Sequence, residues 1–163
     1  MLTFGRRRPP ERKPLELAPL VHETLKLLEP TAGGITLREI VAPRVPRVLG
    51  DAGQLHQVLT NLCLNARDAI DGVGTITIET ESVTNSESVR LSVKDTGKGV
   101  AEELKERLFE PFFTTKPVGR GTGLGLATVW GIVHQNGGSI KVQSAPGQGS
   151  TFSVYLPKHV GKP

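Results

Sequence analysis

The stretch Asn61-Leu62-Cys63-Leu64-Asn65-Ala66-Arg67-Asp68-Ala69-Ile70 lies inside a run from Asp51 to Asp71. That run has the period of one long amphipathic helix. Leu55, Leu59, Leu62, Ala66 and Ala69 make its apolar stripe. Asp51, with Gln54 three residues on, has the pattern of an N-terminal capping box, and Gly72 supplies a stop. Asn61 and Asn65 sit one turn apart on one face, beside the stripe. A carboxamide bordering a core costs free energy unless something satisfies it. Two readings stand side by side here: satisfaction by neighbouring backbone, or by a ligand.

Upstream, Leu17, Leu20, Val21, Leu25 and Leu28 give a helical spacing over Leu15 to Glu29, which Pro30 ends. Gly33-Gly34 opens a strand from Ile35 to Val41, followed by a short Val45–Leu49 segment between prolines. Residues 1–14 read as an extended, poorly folded lead-in. Downstream, Thr75 to Glu81 alternates strictly, Asn85-Ser86 marks a turn, and Val89 to Asp95 alternates again.

The last of these strands carries an anomaly. With a side-chain period of two, Val89, Leu91, Val93 and Asp95 share a face. Asp95 therefore points where the apolar residues go, just before the tight turn Thr96-Gly97-Lys98-Gly99. It can cap that turn, or it can serve as a half-buried acceptor for a ligand's N–H groups.

Residues 101–108 read as a short helix, and Phe109-Glu110-Pro111-Phe112-Phe113 as a local hydrophobic plug. The loop Gly119-Arg120-Gly121-Thr122-Gly123-Leu124-Gly125 then feeds a helix over Leu126 to Gln135. Such a loop offers free N–H groups and a helix dipole to anions, with Lys116 and Arg120 adding charge. It is neither a Walker loop nor a G-x-G-x-x-G fingerprint, since Leu126 stands at the required third glycine. Ser139–Ser144 and Thr151–Leu156 alternate, joined by the turn Ala145-Pro146-Gly147-Gln148-Gly149. Together these elements predict one α/β (α+β) domain, a two-layer sandwich in which three main helices cover one face of a mixed sheet of about five strands.

Composition narrows the function classes. A chain of 163 residues with 37% hydrophobic content suits one core. No apolar run is long enough to span a membrane, and no signal-peptide core is present. The single cysteine, Cys63, allows no internal disulfide and no cysteine metal site. A cytoplasmic protein, or the cytoplasmic part of one, fits. The net charge of +4 is uneven, with Arg6, Arg7, Arg8, Arg12 and Lys13 near the N-terminus. Aromatics are not interleaved with them for base stacking, so a solvated linker is expected rather than a nucleic-acid arm.

The order of motifs resembles the catalytic, ATP-binding domain of sensor histidine kinases, in the superfamily shared with gyrase, the Hsp90 chaperones and the mismatch-repair ATPases. An asparagine box resembles Asn61 to Ala69. An adenine-binding box resembles Asp95-Thr-Gly97-Lys-Gly99, and a phenylalanine box resembles Phe109-Glu-Pro-Phe112-Phe113. A lid glycine box resembles Gly119 to Leu126, and a final glycine box resembles Gly147-Gln-Gly149-Ser-Thr151-Phe. The match runs from about Leu15 to Leu156.

The resemblance implies a Bergerat-type ATP-binding fold over residues 15–157. It makes residues 1–14 a linker or the end of a dimerisation helix, and 158–163 a tail. By it, Asn65 coordinates Mg²⁺ and Asp95 hydrogen-bonds the adenine amino group of ATP. Asn61 lies near the phosphates, with Lys116 and Arg120 as the charged residues that handle them. Gly97, Gly99, Phe112, Gly119, Gly121, Thr122, Gly123, Leu124, Gly125 and Thr151 complete the nucleotide site. In the gyrase and chaperone branches the residue four before the Mg²⁺-binding Asn is a Glu acting as general base. Here it is Asn61, which cannot take a proton that way.

That difference favours phosphoryl transfer to a side chain presented by another domain. The resemblance implies that this is a histidine on a separate dimerisation domain, in two-component signalling, with a response-regulator receiver domain as partner. It implies no direct membrane contact. His22 precedes Glu23 as in an acceptor box, but it lies on a helix that the resemblance gives to the ATP-binding domain itself, so the chain alone is not expected to autophosphorylate. A stand-alone ATPase and a non-catalytic nucleotide-binding or interaction module remain as alternatives.

Overall fold

The computed structural model describes residues 11–111, 113 and 125–159. Strand β1 (Lys13–Leu15) leads into helix α1 (Leu17–Leu28) and a 3₁₀ turn at Glu29–Thr31. Strands β2 (Ile35–Val41) and β3 (Val48–Gly50) precede α2 (Ala52–Ala69). Then follow β4 (Gly74–Ser82), β5 (Ser88–Asp95), the one-turn helix α3 (Glu102–Lys105), α4 (Gly125–Gln135), β6 (Ser139–Ser144) and β7 (Ser150–Pro157).

The main sheet is mixed and five-stranded, in the order β2-β4-β5-β7-β6. Only β2 and β4 run parallel, and a parallel pair needs a crossover long enough to hold a helix. Helix α2 is that crossover, which places it on the sheet. Its buried stripe is Leu55, Val58, Leu59, Leu62, Cys63 and Ala66, and it meets Ile76 and Ile78 of β4, Leu91 and Val93 of β5, and Phe152 and Val154 of β7 in one core. Leu17 and Val21 of α1 and Val129 and Val133 of α4 close the core from either side. Each fully buried leucine contributes roughly 2 kcal/mol.

The opposite face of the sheet is polar. The Ser92 and Ser153 hydroxyls pair at 3.0 Å, and Arg90 bonds Glu81. Here, then, is the expected two-layer sandwich with three main helices on one face.

Three local readings change. The expected 101–108 helix is a single α-helical turn, followed by turns through Phe109. The Val45–Leu49 segment becomes strand Val48–Gly50. Lys13 and Pro14, read as lead-in, instead pair with Gly50 and Leu49 in a second, two-stranded sheet. A three-residue strand has too few side chains to show a period, so only its partner reveals it.

Candidate nucleotide site

Strand β5 ends on Asp95, which is only 2% exposed and faces the helices. Its Oδ1 accepts from the Gly97 N–H at 2.8 Å, and the Ser150 backbone N–H also supports it. Burial raises the Asp95 pKa above the ordinary carboxylate range, and these two N–H groups pull it back in part. The result is an acceptor held in a desolvated place by fixed backbone.

The turn after it is clamped from two sides. The Lys98 N–H donates to the carbonyl of Ala69, at the end of α2, at 2.9 Å. The Gly147 N–H donates to the Lys98 carbonyl at 2.7 Å, and the Val100 N–H donates to Ser144 Oγ at 2.8 Å. A Cβ on Gly97 would lie 2.4 Å from the Ala69 carbonyl oxygen. At Gly99, where φ is +73°, it would lie 1.9 Å from the Ala145 carbonyl oxygen. These two glycines are therefore required by the protein's own close backbone approaches.

Helix α2 supplies the second wall. Asp51 caps it, Oδ1 accepting from the Gln54 N–H at 3.0 Å. The reciprocal half of the expected capping box comes from elsewhere: the Asp51 N–H donates to Asn136 Oδ1 at 3.0 Å, across 85 residues of sequence. Asn61 Nδ2 donates to the carbonyl of Gly125, the first residue of α4, at 3.2 Å. Asn65 is half-buried, and its side-chain amide makes no hydrogen bond among the described residues. Cys63 points into the core, and burial pushes its thiol up to about 12, which makes it unreactive. Arg67 Nη1 donates to Thr31 Oγ1 at 3.1 Å and serves the loop before β2.

The structure thus brings Asp95, Gly97 and Gly99 together where β5 leaves the sheet, and places Asn61 and Gly125 in contact. Thr151 does not join them. The β5–β7 register pairs Lys94 with Thr151 and Asp95 with Ser150, so Thr151 lies on the sheet face away from Asp95. Ser150 shares the face of Asp95 instead, with its hydroxyl 2.7 Å from that of Ser144. Thr151, expected at the site from the resemblance, is thus on the other face from Asp95, since successive strand residues point to opposite faces.

Phe112, Lys116, Gly119, Arg120, Gly121, Thr122, Gly123 and Leu124 lie outside the described residues. Among the described residues near them in sequence, Phe109 packs edge-on against Phe152 at 6.4 Å between ring centroids, and the Arg107 guanidinium lies 4.5 Å over the Phe113 ring. His22 is exposed on α1, 3.5 Å from Glu39. Among the described residues no helix is long and apolar enough to cross a membrane. Nor does any cluster of three His, Cys, Asp or Glu side chains offer a metal cage. Sequence reading missed Asn136, which is fully buried. Standing before Gly137-Gly138, it looked like an ordinary helix end.

Residues 50–160 match the family described as histidine kinase-, DNA gyrase B-, and HSP90-like ATPase. The chain is 38% identical to the sensor kinase CckA of Brucella abortus over 172 residues, covering 97% of this chain and 18% of that protein. It is 44% identical to the sensor histidine kinase ZraS of Escherichia coli over 151 residues, covering 90% of this chain and 31% of that protein. The chain therefore spans less than a third of the length of these relatives. Among solved structures, the catalytic domain of histidine kinase ThkA superposes with a TM-score of 0.81 at 35% identity, covering 91% of this chain and 96% of that one. Full-length ShkA in complex with AMPPNP gives 0.82 at 31% identity, covering 93% of this chain and 32% of that one. ThkA in complex with the response regulator TrrA gives 0.78 at 32% identity, covering 92% and 42%. The chain belongs to this ATPase family, and within it to the catalytic, ATP-binding domains of histidine kinases.

Proposed function

We propose that the chain binds ATP with Mg²⁺ between the Asp95 turn and the facing ends of α2 and α4, and supplies the γ-phosphate to a histidine on a separate dimerisation domain. The observation that carries this reading is Asp95: a buried carboxylate, held by backbone N–H groups, on the helix side of the sheet. Such a group suits an amino N–H of the adenine base, which it would accept without reorganising.

Asn65 fits the metal. Its amide oxygen is an oxygen donor of the kind Mg²⁺ takes, and its amide has no bond to break among the described residues. One neutral ligand is consistent with an ion shared mainly with phosphates and water. When bound, the ion would neutralise charge on the transferring phosphoryl group. The residues' own part is to hold the base, orient the phosphates and fix the start of α4. Asn61, already donating to Gly125, has no carboxylate with which to activate water, which favours transfer over hydrolysis. Lys116, Arg120 and the loop glycines are assigned to the phosphates on chemical grounds.

The partners that follow are a dimerisation domain and a receiver domain, for a catalytic domain over residues 15–157 that lies in the cytoplasmic part of a larger sensor. The complex of ThkA with its response regulator supports the second partner by analogy. Calorimetric titration of ATP and ADP, with and without Mg²⁺, tests the reading. Binding weakens in Asp95→Ala, and Asn65→Ala loses mainly the Mg²⁺ dependence. A folded wild type that binds no adenine nucleotide overturns it.

A further inference from the structure

Helices α2 and α4 are joined by side-chain amides at both ends of α4. At its C-terminal end, Asn136 Oδ1 accepts from the Asp51 N–H, and Nδ2 donates to Gln54 Oε1 and to the Ile132 carbonyl, each at 2.9 Å. Gln54 Nε2 adds a bond to Gln135 Oε1 at 3.2 Å. At the N-terminal end, Asn61 Nδ2 donates to the Gly125 carbonyl. About 15 Å of helix separates residue 51 from 61, and about 16 Å separates 125 from 136. The two helices therefore run antiparallel with matched spans, one amide clasp at each end.

Neither clasp is needed to finish α4. The end of α4 is already closed by backbone: Gly138 N–H donates to the Val133 carbonyl at 2.9 Å and Gly137 N–H to the His134 carbonyl at 3.1 Å, with Gly137 at φ +77°. The Gly125 carbonyl, at the start of α4, is one that the helix itself would satisfy. A fully buried amide that gives two of its three hydrogen bonds to the start of another helix, and only one to its own, has a cross-helix role.

We propose that Asn61 and Asn136 are positioning residues that lock α4 in register with α2 and so hold the first turn of α4 one helical turn from Asn65. With one clasp, α4 can still roll about the remaining contact; with two it can neither roll nor slide. This rests on the nucleotide reading for its purpose, since the aligned start of α4 would then receive phosphates already in place. Asn61 acts through Gly125 before any nucleotide arrives.

The test is hydrogen exchange on the nucleotide-free chain, followed by titration with ADP and with adenosine. The variants are Asn61→Ala and, because Asn136→Ala removes a buried network and can fail to fold, Gln54→Ala as the milder break of the other clasp. The expected result is faster exchange at residues 129–132, the first amides bonded within α4, in both variants. Amides of β5 and β7 keep their rates. ADP affinity falls roughly five-fold, while adenosine, which reaches only the Asp95 end, keeps its affinity within about two-fold. General loosening of the domain would weaken both ligands alike.

Unchanged exchange in α4 for both variants overturns the proposal, as do equal losses for ADP and adenosine. If the wild type binds neither ligand, the nucleotide reading fails and takes the purpose of the clasps with it. The exchange rates still decide whether the clasps hold α4.

Discussion

The two ends of the site are built by opposite means. Around Asp95 nearly every contact is backbone: N–H groups on its carboxylate, two glycines against neighbouring carbonyls, and a turn pinned to both α2 and the β6–β7 hairpin. At the facing ends of α2 and α4 the contact is a side chain, Asn61 on the Gly125 carbonyl, with the Asn65 amide left unbonded among the described residues. A backbone-built end cannot be tuned by changing a side chain without breaking the turn. A side-chain-built end can be loosened one bond at a time. Recognition of a flat base calls for the first, and an ion with phosphates that change during transfer calls for the second.

Gly99→Ala should break the rigid end outright. The added Cβ meets the Ala145 carbonyl oxygen at a positive φ, costing about 3 kcal/mol of stability, read as a lower urea midpoint at unchanged slope. Asp95→Ala should lower nucleotide affinity by roughly 10- to 100-fold in calorimetry. Asn65→Ala should cost about ten-fold in the presence of Mg²⁺ and leave the thermal midpoint unmoved. A fall in its midpoint would show a structural role at the end described here as adjustable.

Acidification probes the same contrast. The Asp95 pKa is raised, with burial the largest cause. A carboxylate with a raised folded-state value is penalised when ionised, so the penalty is present above that value and disappears as pH falls through it. Nucleotide affinity should therefore start to fall at a higher pH than for an ordinary aspartate. Asp95→Asn should flatten that dependence, and an unchanged acid limb would remove Asp95 from the base end. The smallest effect is reserved for Thr151→Val. On the far face of the sheet it should change affinity by less than about two-fold. A large loss would mean that the far face takes part in binding.

Legibility in the sequence followed the range of each signal. Asp95 stood out because it was polar where a period called for an apolar residue, and Asn61 and Asn65 because they bordered an apolar stripe; such a period is read within ten residues. Asn136 gave no such signal, since the groups that satisfy it, at Asp51 and Gln54, are more than 80 residues away. Gly97 and Gly99 were legible as a tight turn, but the Ala69 and Ala145 carbonyls that forbid a side chain there were not. Thr151 was placed at the site by the glycine-box resemblance alone, which names a box but not the face of β7 that each of its residues takes.

By itself, then, the sequence determined the helices, the alternating strands, the layered α/β class and the family, since all of these rest on local periods and ordered motifs. Tertiary structure alone decided the parallel β2–β4 pairing, the pairing of Lys13–Leu15 with β3, the placing of Ser150 opposite Asp95, and the double clasp of α4 on α2. Each of those is a contact between groups far apart in the chain, whose free energy exists only once the core has brought them within hydrogen-bonding reach.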